Sequence, residues 1–217
     1  MGTMPPRLQR VPGLSFFKLM GSGKDRVFNL QPDFYLYGLL ATWESAAAAD
    51  AFLQDSPLMA AYRNHATELW TVKMNPLRSQ GLWDGRNPFV PVVPVETEGL
   101  GSGPLAVLTR ASIRLTALPA FWRYGTLTSK DLASAPGLLA AIGLGELPFI
   151  RQATFSIWET EAAMRQYAYG TAHHQQVIRK TRSDQWYSED LFARFRILSA
   201  TGTWKGRNPL DQVAGSR

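Results

Sequence analysis

One nine-residue segment occurs twice in this chain. GLWDGRNPF at residues 81–89 returns as GTWKGRNPL at residues 202–210, with six of nine residues identical at a spacing of 121 residues. Two further landmarks recur in the same order. Trp43 has a counterpart in Trp158, and Trp70 and Trp186 each precede a predicted strand. Three ordered landmarks predict two copies of one structural unit.

A stretch rich in Gly, Pro and Glu, residues 91–104, is the predicted linker between the copies. The domain prediction is therefore a first half over residues 1–90, the linker over 91–104, and a second half over 105–217.

Both copies show a similar order of predicted elements. Runs of β-branched and aromatic residues predict strands, and Thr160 is a predicted helix N-cap. In the closing strand, Leu191, Ala193 and Phe195 alternate with Phe192, Arg194 and Arg196, which is typical of a half-buried strand. The predicted strands are 15–20, 34–43, 71–75, 107–115, 151–158 and 191–198, and the predicted helical segments are 45–53, 57–66, 118–123, 160–168 and 172–183.

This order predicts an α+β fold of two ferredoxin-like halves. Each half would have helices on one face of its sheet and a bare apolar face on the other. Packing the bare faces sheet to sheet would give an intrachain dimeric α/β barrel. Its interior would suit a flat or elongated apolar ligand.

Composition excludes several kinds of metal site. The chain has no Cys, which excludes disulfides, thiolate zinc sites, iron–sulfur clusters and a thiolate-ligated haem. The three histidines, His65, His173 and His174, are too few for a multi-histidine cage. Metal chemistry in this chain would depend on one imidazole or on carboxylates.

Charge patterning says little about partners. The formal net charge is +6, but the charges are scattered and the densest basic stretch is RKTR at 179–182. An ordinary solvated surface is the simplest explanation, and nucleic acid is not a predicted partner. The most apolar window, 138–150, is interrupted by glycine, glutamate and proline, and it falls short of the roughly 18 apolar residues of a membrane span. Without a visible secretory signal, the prediction is cytoplasmic, with contact to an anionic membrane surface left open.

Two glycine-rich segments lack the spacing of nucleotide-binding motifs. GSGK at 21–24 does not fit the P-loop pattern and is interpreted as a flexible turn. GLGE at 143–146 lacks the third glycine of a dinucleotide fingerprint and is interpreted as a tight turn.

The histidines give the candidate ligands. On the predicted helix 172–183, His174 shares a mostly apolar face with Val177 and Ile178, whereas His173 lies on a mostly polar face. Adjacent helical residues point about 100° apart, so the pair cannot chelate one ion. His174 is either a core histidine or a single axial ligand to haem iron. His65, on an apolar stripe, is interpreted as a core or distal-side residue and as the rival ligand.

Arginines beside aromatic residues are candidate partners for haem propionates. Arg110, Arg123 and Arg179 have this sequence context, and a guanidinium offers two parallel donors to a carboxylate. An exposed charge is the alternative role for each of them.

Several segments together resemble a known family. In this combination the chain resembles the spheroidene monooxygenases of carotenoid biosynthesis, from about residue 16 to 204 and most densely after residue 105. The segments are TRASIR at 109–114, FW at 121–122, IGLGELP at 142–148, QATFSIW at 152–158, AY at 168–169, His174 and WYSEDLFARF at 186–195, with LLATW at 39–43 and GLW at 81–83 in the first half.

The resemblance implies a haem b cofactor and oxygenation of acyclic carotenoids at C-2. On that reading His174 is the proximal iron ligand, and no distal catalytic residue is carried over. Arg179 and Arg110, chosen by their sequence context, are the further candidate cofactor-binding residues. The implied partners are a carotenoid, dioxygen and an external electron donor, and homo-oligomers are compatible with it. Two hydroxylations of a terminal methylene would give a geminal diol that loses water to form a ketone. The alternatives are another haem enzyme of this fold, such as one resembling aldoxime dehydratases, a non-catalytic carrier of haem or an apolar ligand, and a barrel without cofactor.

Overall fold

The computed structural model describes residues 5–24, 29, 31–89, 103–170, 179–181 and 183–214, the side chains of 126–128, 130 and 214 excepted. The first half contains α1 (Pro5–Leu8), β1 (Leu14–Gly23), β2 (Pro32–Trp43), α2 (Ala46–Asp55), α3 (Pro57–His65) and β3 (Trp70–Gly81). The second half contains β4 (Leu105–Ile113), a 3-10 turn (Leu115–Ala117), α4 (Leu118–Ala133), β5 (Leu138–Leu147), β6 (Arg151–Trp158), α5 (Glu161–Gly170), β7 (Tyr187–Gly202) and α6 (Asp211–Ala214).

Local sequence signals explain where three helices begin. The Ser45 hydroxyl accepts the Ala48 N–H at 3.1 Å, and the Ser56 hydroxyl accepts the Leu58 N–H at 3.2 Å ahead of a proline at the first position of α3. The Thr160 hydroxyl accepts the Ala163 N–H at 3.1 Å, which confirms the predicted N-cap of α5.

The described strands form one antiparallel sheet in the order β2-β1-β5-β6-β4-β7-β3. The second half is a complete ferredoxin-like unit, because β5, β6, β4 and β7 are adjacent in that order. The first-half strands flank it: β1 pairs with β5 at Gly21↔Gly145, and β3 pairs with β7 from Trp70↔Gly202 to Gly81↔Leu191. The α+β class and the tandem ferredoxin-like architecture are confirmed, with the two halves hydrogen-bonded into a single sheet.

Alternation along β4 shows how the two faces of the sheet differ. Leu105 and Val107 pack on the outer face beneath α4 and α5, whereas Ala106 and Leu108 belong to a larger cluster on the inner face. The members of that inner cluster come from strands and from the two copies of the repeated segment. The core alternation predicted for β7 is confirmed, because Leu191, Ala193 and Phe195 are at most 3% exposed and belong to the inner cluster.

Four sequence predictions need correction or extension. GSGK at 21–24 is not a flexible turn, because residues 21–23 end β1 and Gly21 pairs with Tyr37 and Gly145. GLGE at 143–146 is not a tight turn but part of β5, where Gly145 pairs with Gly21 on one side and Gln152 on the other. Helix α4 runs ten residues beyond its predicted end at residue 123. The 121-residue spacing extends upstream to Glu68 and Glu189, so Trp70 corresponds to Leu191 and not to Trp186.

Two predictions fall largely outside the described residues. The linker is described only from Gly103 onward. Of the predicted helix 172–183, only 179–181 and 183 are described, and they are helical. His173 and His174 therefore lie outside the described residues. Among the described helices, none combines the length and the apolar composition needed to cross a bilayer.

Candidate functional site

Both copies of the repeated segment fold into the same turn. The Trp83 N–H donates to the Arg86 carbonyl at 2.7 Å, and the Trp204 N–H donates to the Arg207 carbonyl at 2.7 Å. The two residues after each tryptophan have positive φ angles: +52° and +75° in the first turn, +56° and +80° in the second. Glycine at the second of these positions fits such a backbone without a steric cost.

A glutamate from the paired strand caps each turn. Glu189 accepts the N–H groups of Asp84 and Gly85 at 3.0 and 2.8 Å, because β3 ends where β7 begins. Glu68 accepts the N–H groups of Lys205 and Gly206 at 2.9 and 2.7 Å in the same way. The two carboxylates are 121 residues apart, as the turns are, so the repeat extends to the hydrogen bonds that hold each turn.

The first turn closes one end of the inner face. Trp83 is fully buried, its indole N–H donates to Glu146 Oε1 at 2.7 Å, and its ring meets Phe16 edge to face at 5.6 Å between centroids. A buried indole needs such an acceptor, because an unpaired N–H in the core is costly.

A network of six charged side chains surrounds this turn. Arg110 is 1% exposed, and its Nη1 donates to Glu189. Its Nε lies 3.6 Å from Glu146 Oε1, and its Nη2 lies 3.9 Å from Asp84 Oδ1. The remaining ion pairs are Lys18 with Asp84, Lys18 with Glu146 at 2.7 Å, and Arg151 with Asp84 at 3.1 Å.

The charges of this network balance, three against three, as burial requires. Burial alone would raise the pKa of Asp84, but Lys18, Arg151 and Arg110 outweigh it and lower that pKa. The pKa of Glu189 is likewise lowered, because the two turn N–H groups and Arg110 outweigh its burial. Both carboxylates are therefore held as anions near neutral pH.

Arg110, a predicted propionate partner, lies inside this network. Its Nε and Nη2 have no hydrogen-bond partner within 3.5 Å among the described residues. A propionate contact at Arg110 stays a prediction, and it would place a further carboxylate between Glu146 and Asp84.

Arg179, the other predicted cofactor arginine, lies on the described end of the last long helix and is exposed. This helix end packs near an aromatic cluster. Lys180 Nζ lies 5.9 Å from the centroid of the Tyr124 ring, which stacks on the buried Trp186 at 5.8 Å. The Trp186 N–H donates to the Thr181 carbonyl at 3.2 Å and ties the helix to β7.

The prediction that His65 is a core residue is wrong, whereas its alternative roles as a distal-side residue or rival ligand stay predictions. His65 is exposed at the last position of α3, and its Nδ1 lies 2.8 Å from the Ala61 carbonyl oxygen. The apolar stripe of α3 is buried at Leu58 but reaches solvent before the helix ends. Within the described part of the chain, no group of three or more His, Asp or Glu side chains is placed to hold a metal ion.

A cavity of about 410 Å³ lies on the outer face, between the end of α4 and α5. Tyr167 lines it with Asp131, Pro136 and Gln166. The Tyr167 ring packs 5.3 Å from that of Trp158, and burial together with the nearby Asp131 raises the pKa of its hydroxyl. The cavity is thus separated from the inner apolar face by the sheet.

Sequence reasoning missed most of the charge network. Lys18, Asp84, Glu146 and Glu189 were not candidates, since none belongs to a recognisable catalytic motif. One usable signal was the spacing itself: extending the 121-residue repeat upstream aligns Glu68 with Glu189.

Sequence similarity to known proteins extends over most of this chain. No protein-family model matches the sequence. The chain is 43% identical over 197 residues to the spheroidene monooxygenase of Rubrivivax gelatinosus, covering 90% of this chain and 73% of that protein. It is 35% identical over 199 residues to the spheroidene monooxygenase of Rhodobacter capsulatus, covering 92% and 82%. The Cereibacter sphaeroides protein of the same name is 33% identical over 208 residues, and the chain covers 63% of its length, less than two thirds.

Two solved structures align with most of this chain at low identity. Proposed monooxygenases from Fusobacterium nucleatum and Lactobacillus acidophilus align with 93% of this chain and with 82% and 83% of their own. Their TM-scores are 0.45 and 0.41, and their identities are 10% and 13%.

Proposed function

Because the chain belongs to the spheroidene monooxygenase family, we propose that it is a haem-dependent monooxygenase that oxidises an acyclic carotenoid such as spheroidene at C-2. The observation that carries this proposal is the 43% identity to a spheroidene monooxygenase along 90% of the chain. Dioxygen and an external electron donor are the co-substrates that such an oxidation needs.

The inner face supports a hydrocarbon substrate. A conjugated polyene offers no hydrogen-bonding groups, so its binding free energy comes from burial of apolar surface. The partly exposed residues packed on the inner cluster supply such a surface, with Met74, Ile142 and Phe155 among them. The turn around Trp83 closes one end of this face and excludes water there.

This chain contains the side chains that binding of haem requires, an imidazole for the iron and guanidinium groups for the propionates. Ligation of haem iron needs one neutral imidazole, and we propose His174 for that role. The exposed guanidinium of Arg179, five residues along the same predicted helix, is our proposed partner for a propionate. When bound, haem would supply the activation of dioxygen that protein side chains cannot. The protein's share is the imidazole, the carboxylate contact and an apolar, water-poor cavity.

Haem titration of the purified full-length protein tests the ligand. We expect a Soret band that persists in His173→Ala and in the exposed control His65→Ala. In His174→Ala the haem affinity should fall by more than about tenfold. Loss of the band in His173→Ala but not in His174→Ala would move the ligand by one residue.

Turnover tests the reaction. Supplied with spheroidene, dioxygen and a reductant, the haem-loaded protein should yield a product heavier by one oxygen and lighter by two hydrogens, as mass spectrometry can show. Equal turnover by the haem-free protein would refute haem dependence. Haem binding without oxidation of any carotenoid would favour the carrier, and turnover of an aldoxime instead would favour the other enzyme class.

A further inference from the structure

Three connections meet at one end of the sheet. The turn between β5 and β6 lies beside the connection from β4 to α4, since the Ile113 N–H donates to the Ile150 carbonyl at 2.8 Å. The turn after β3 lies beside both, since Arg151 at the start of β6 pairs with Asp84 at 3.1 Å. This end of the sheet is therefore built by segments far apart in sequence.

Each of these connections presents large apolar side chains to solvent. Four of them, which we call the apolar tip, are exposed by 46–70%: Leu82, Leu115, Leu147 and Phe149. Scattered single apolar residues are normal on a protein surface, but four on converging connections form a local concentration.

Phe149 is exposed at a cost in backbone conformation. Its φ is +67°, a region that a bulky side chain rarely adopts and that Gly or Asn would adopt more easily. The turn is held in place by Trp122, whose indole N–H donates to the Phe149 carbonyl at 3.2 Å and whose ring lies 6.0 Å from the Phe149 ring. The ring contact with Trp122 offsets part of this cost, but the Phe149 side chain stays 47% exposed and is available to a contact outside the chain.

Exposed arginines border the apolar tip. Arg114 directly precedes Leu115, and its Nε donates to the Tyr187 carbonyl at 3.3 Å. Arg123 on α4 lies one residue after Trp122, with its guanidinium 5.0 Å from the Tyr124 ring. The exposed carboxylate of Asp190, opposite Ala111 of β4, also lies toward this end.

We propose that the apolar tip inserts into the interface of an anionic lipid bilayer, with Arg114 and Arg123 against the lipid phosphates. Apolar and aromatic side chains flanked by cations are the composition that binds at the boundary of headgroups and acyl chains. The side chains project from separate connections, an arrangement that a fluid phase accommodates better than one rigid protein ligand does. Membrane insertion rests on the proposed function in one respect only, the expectation that a carotenoid substrate dissolves in lipid.

Vesicle flotation of the full chain tests this proposal without haem or carotenoid, so its failure is separate from a failure of the proposed function. With phosphatidylcholine vesicles containing about one third phosphatidylglycerol, we expect the protein to float. The double variant Leu115→Ser/Phe149→Asn should bind about tenfold less, and asparagine also suits the positive φ. Replacing Arg114 and Arg123 by Gln should weaken binding about fivefold for each arginine, and only on the anionic vesicles.

A matched control removes exposed apolar surface elsewhere. Leu198 is 54% exposed near the far end of β7, and Leu198→Ser should float like the parent protein.

Lipids brominated near the headgroup should quench part of the tryptophan fluorescence, and Trp122→Phe should abolish most of that quenching.

Three outcomes would overturn the proposal. They are a parent protein that does not float, a tip variant that floats unchanged, and an equal loss in Leu198→Ser. Self-association in sedimentation that is lost in the tip variant, without any vesicle binding, would assign the surface to a second copy of this chain. Circular dichroism of each variant establishes that it is folded.

Discussion

The two copies of the repeated turn share a backbone but differ in their surroundings. Trp83 is fully buried in the first turn, whereas Trp204 in the second is half-buried against Trp70, at 5.9 Å between ring centroids. The cap of the first turn, Glu189, also pairs with Arg110, while Glu68, the cap of the second, lies at the surface.

Strand order explains this difference. The first turn lies at the start of β7, and the next strand, β4, brings Arg110 opposite Leu191. The second turn lies at the start of β3, which is an edge strand of the sheet with no further strand beyond it among the described residues. The nine-residue segment therefore specifies the conformation of the turn. The position of the turn in the sheet decides whether its tryptophan is buried and whether charged side chains surround it.

Truncating Trp83 and Trp204 should give the largest difference in lost stability between the two turns. Trp83→Ala should lower the free energy of unfolding by about 4 kcal/mol, because it leaves a cavity and removes the indole N–H that donates to Glu146 Oε1. Trp204→Ala should cost about half as much, since its ring is partly solvated in the folded state. Urea denaturation followed by circular dichroism measures both, and equal losses would contradict the assigned asymmetry.

Removing the buried guanidinium of Arg110 should give the second largest difference in stability. Arg110→Met should cost about 3 kcal/mol, because it leaves Glu189 and Glu146 without their buried cation. The exposed arginine of the second turn provides the control: Arg207→Met should change stability by less than about 0.5 kcal/mol. Adding Glu189→Gln to Arg110→Met should cost less than the sum of the single changes, because it removes one uncompensated carboxylate. Simple additivity would show that the pair does not interact.

Sequence alone predicted the features that depend on neighbouring residues. The β6 bounds, the hydroxyl N-cap of α5 and the alternation of β7 all follow from local patterning, and the structure has them. The GLGE segment was misjudged because local patterning cannot distinguish a turn from a glycine-containing strand whose partners, Gly21 and Gln152, come from elsewhere in the chain. His65 was misjudged because the apolar stripe continues in the sequence to the point where the helix itself ends.

The charge network depends on contacts that no local pattern encodes. Arg110 is one of the eight buried residues among the nine of β4, so its charge needs carboxylate partners. Its partner Glu189 is 79 residues away, so only the sheet order identifies it. The haem-ligand role of His174 is implied by the family resemblance, and the helical face favours it over His173. Both histidines lie outside the described residues, so this role stays a prediction.

Acid should reveal the smallest difference between the turns. Hydrogen bonds from the turns lower the pKa values of both Glu189, despite its burial, and Glu68, where the Gly206 N–H is the main cause. A carboxylate with a lowered folded-state pKa stabilises the fold fully above its ordinary value of about 4.3, and that contribution is lost as the pH falls through the folded-state pKa. Glu189→Gln should cost about 1–2 kcal/mol at pH 7, because Arg110 loses its anionic partner, and should make the urea midpoint less sensitive to acidification below about pH 5. Glu68→Gln should change both quantities in the same direction but less, since water can replace the carboxylate at an exposed turn. A larger effect of Glu68→Gln would mean that the hydrogen-bonded cap, and not the pairing with Arg110, sets the stability of these turns.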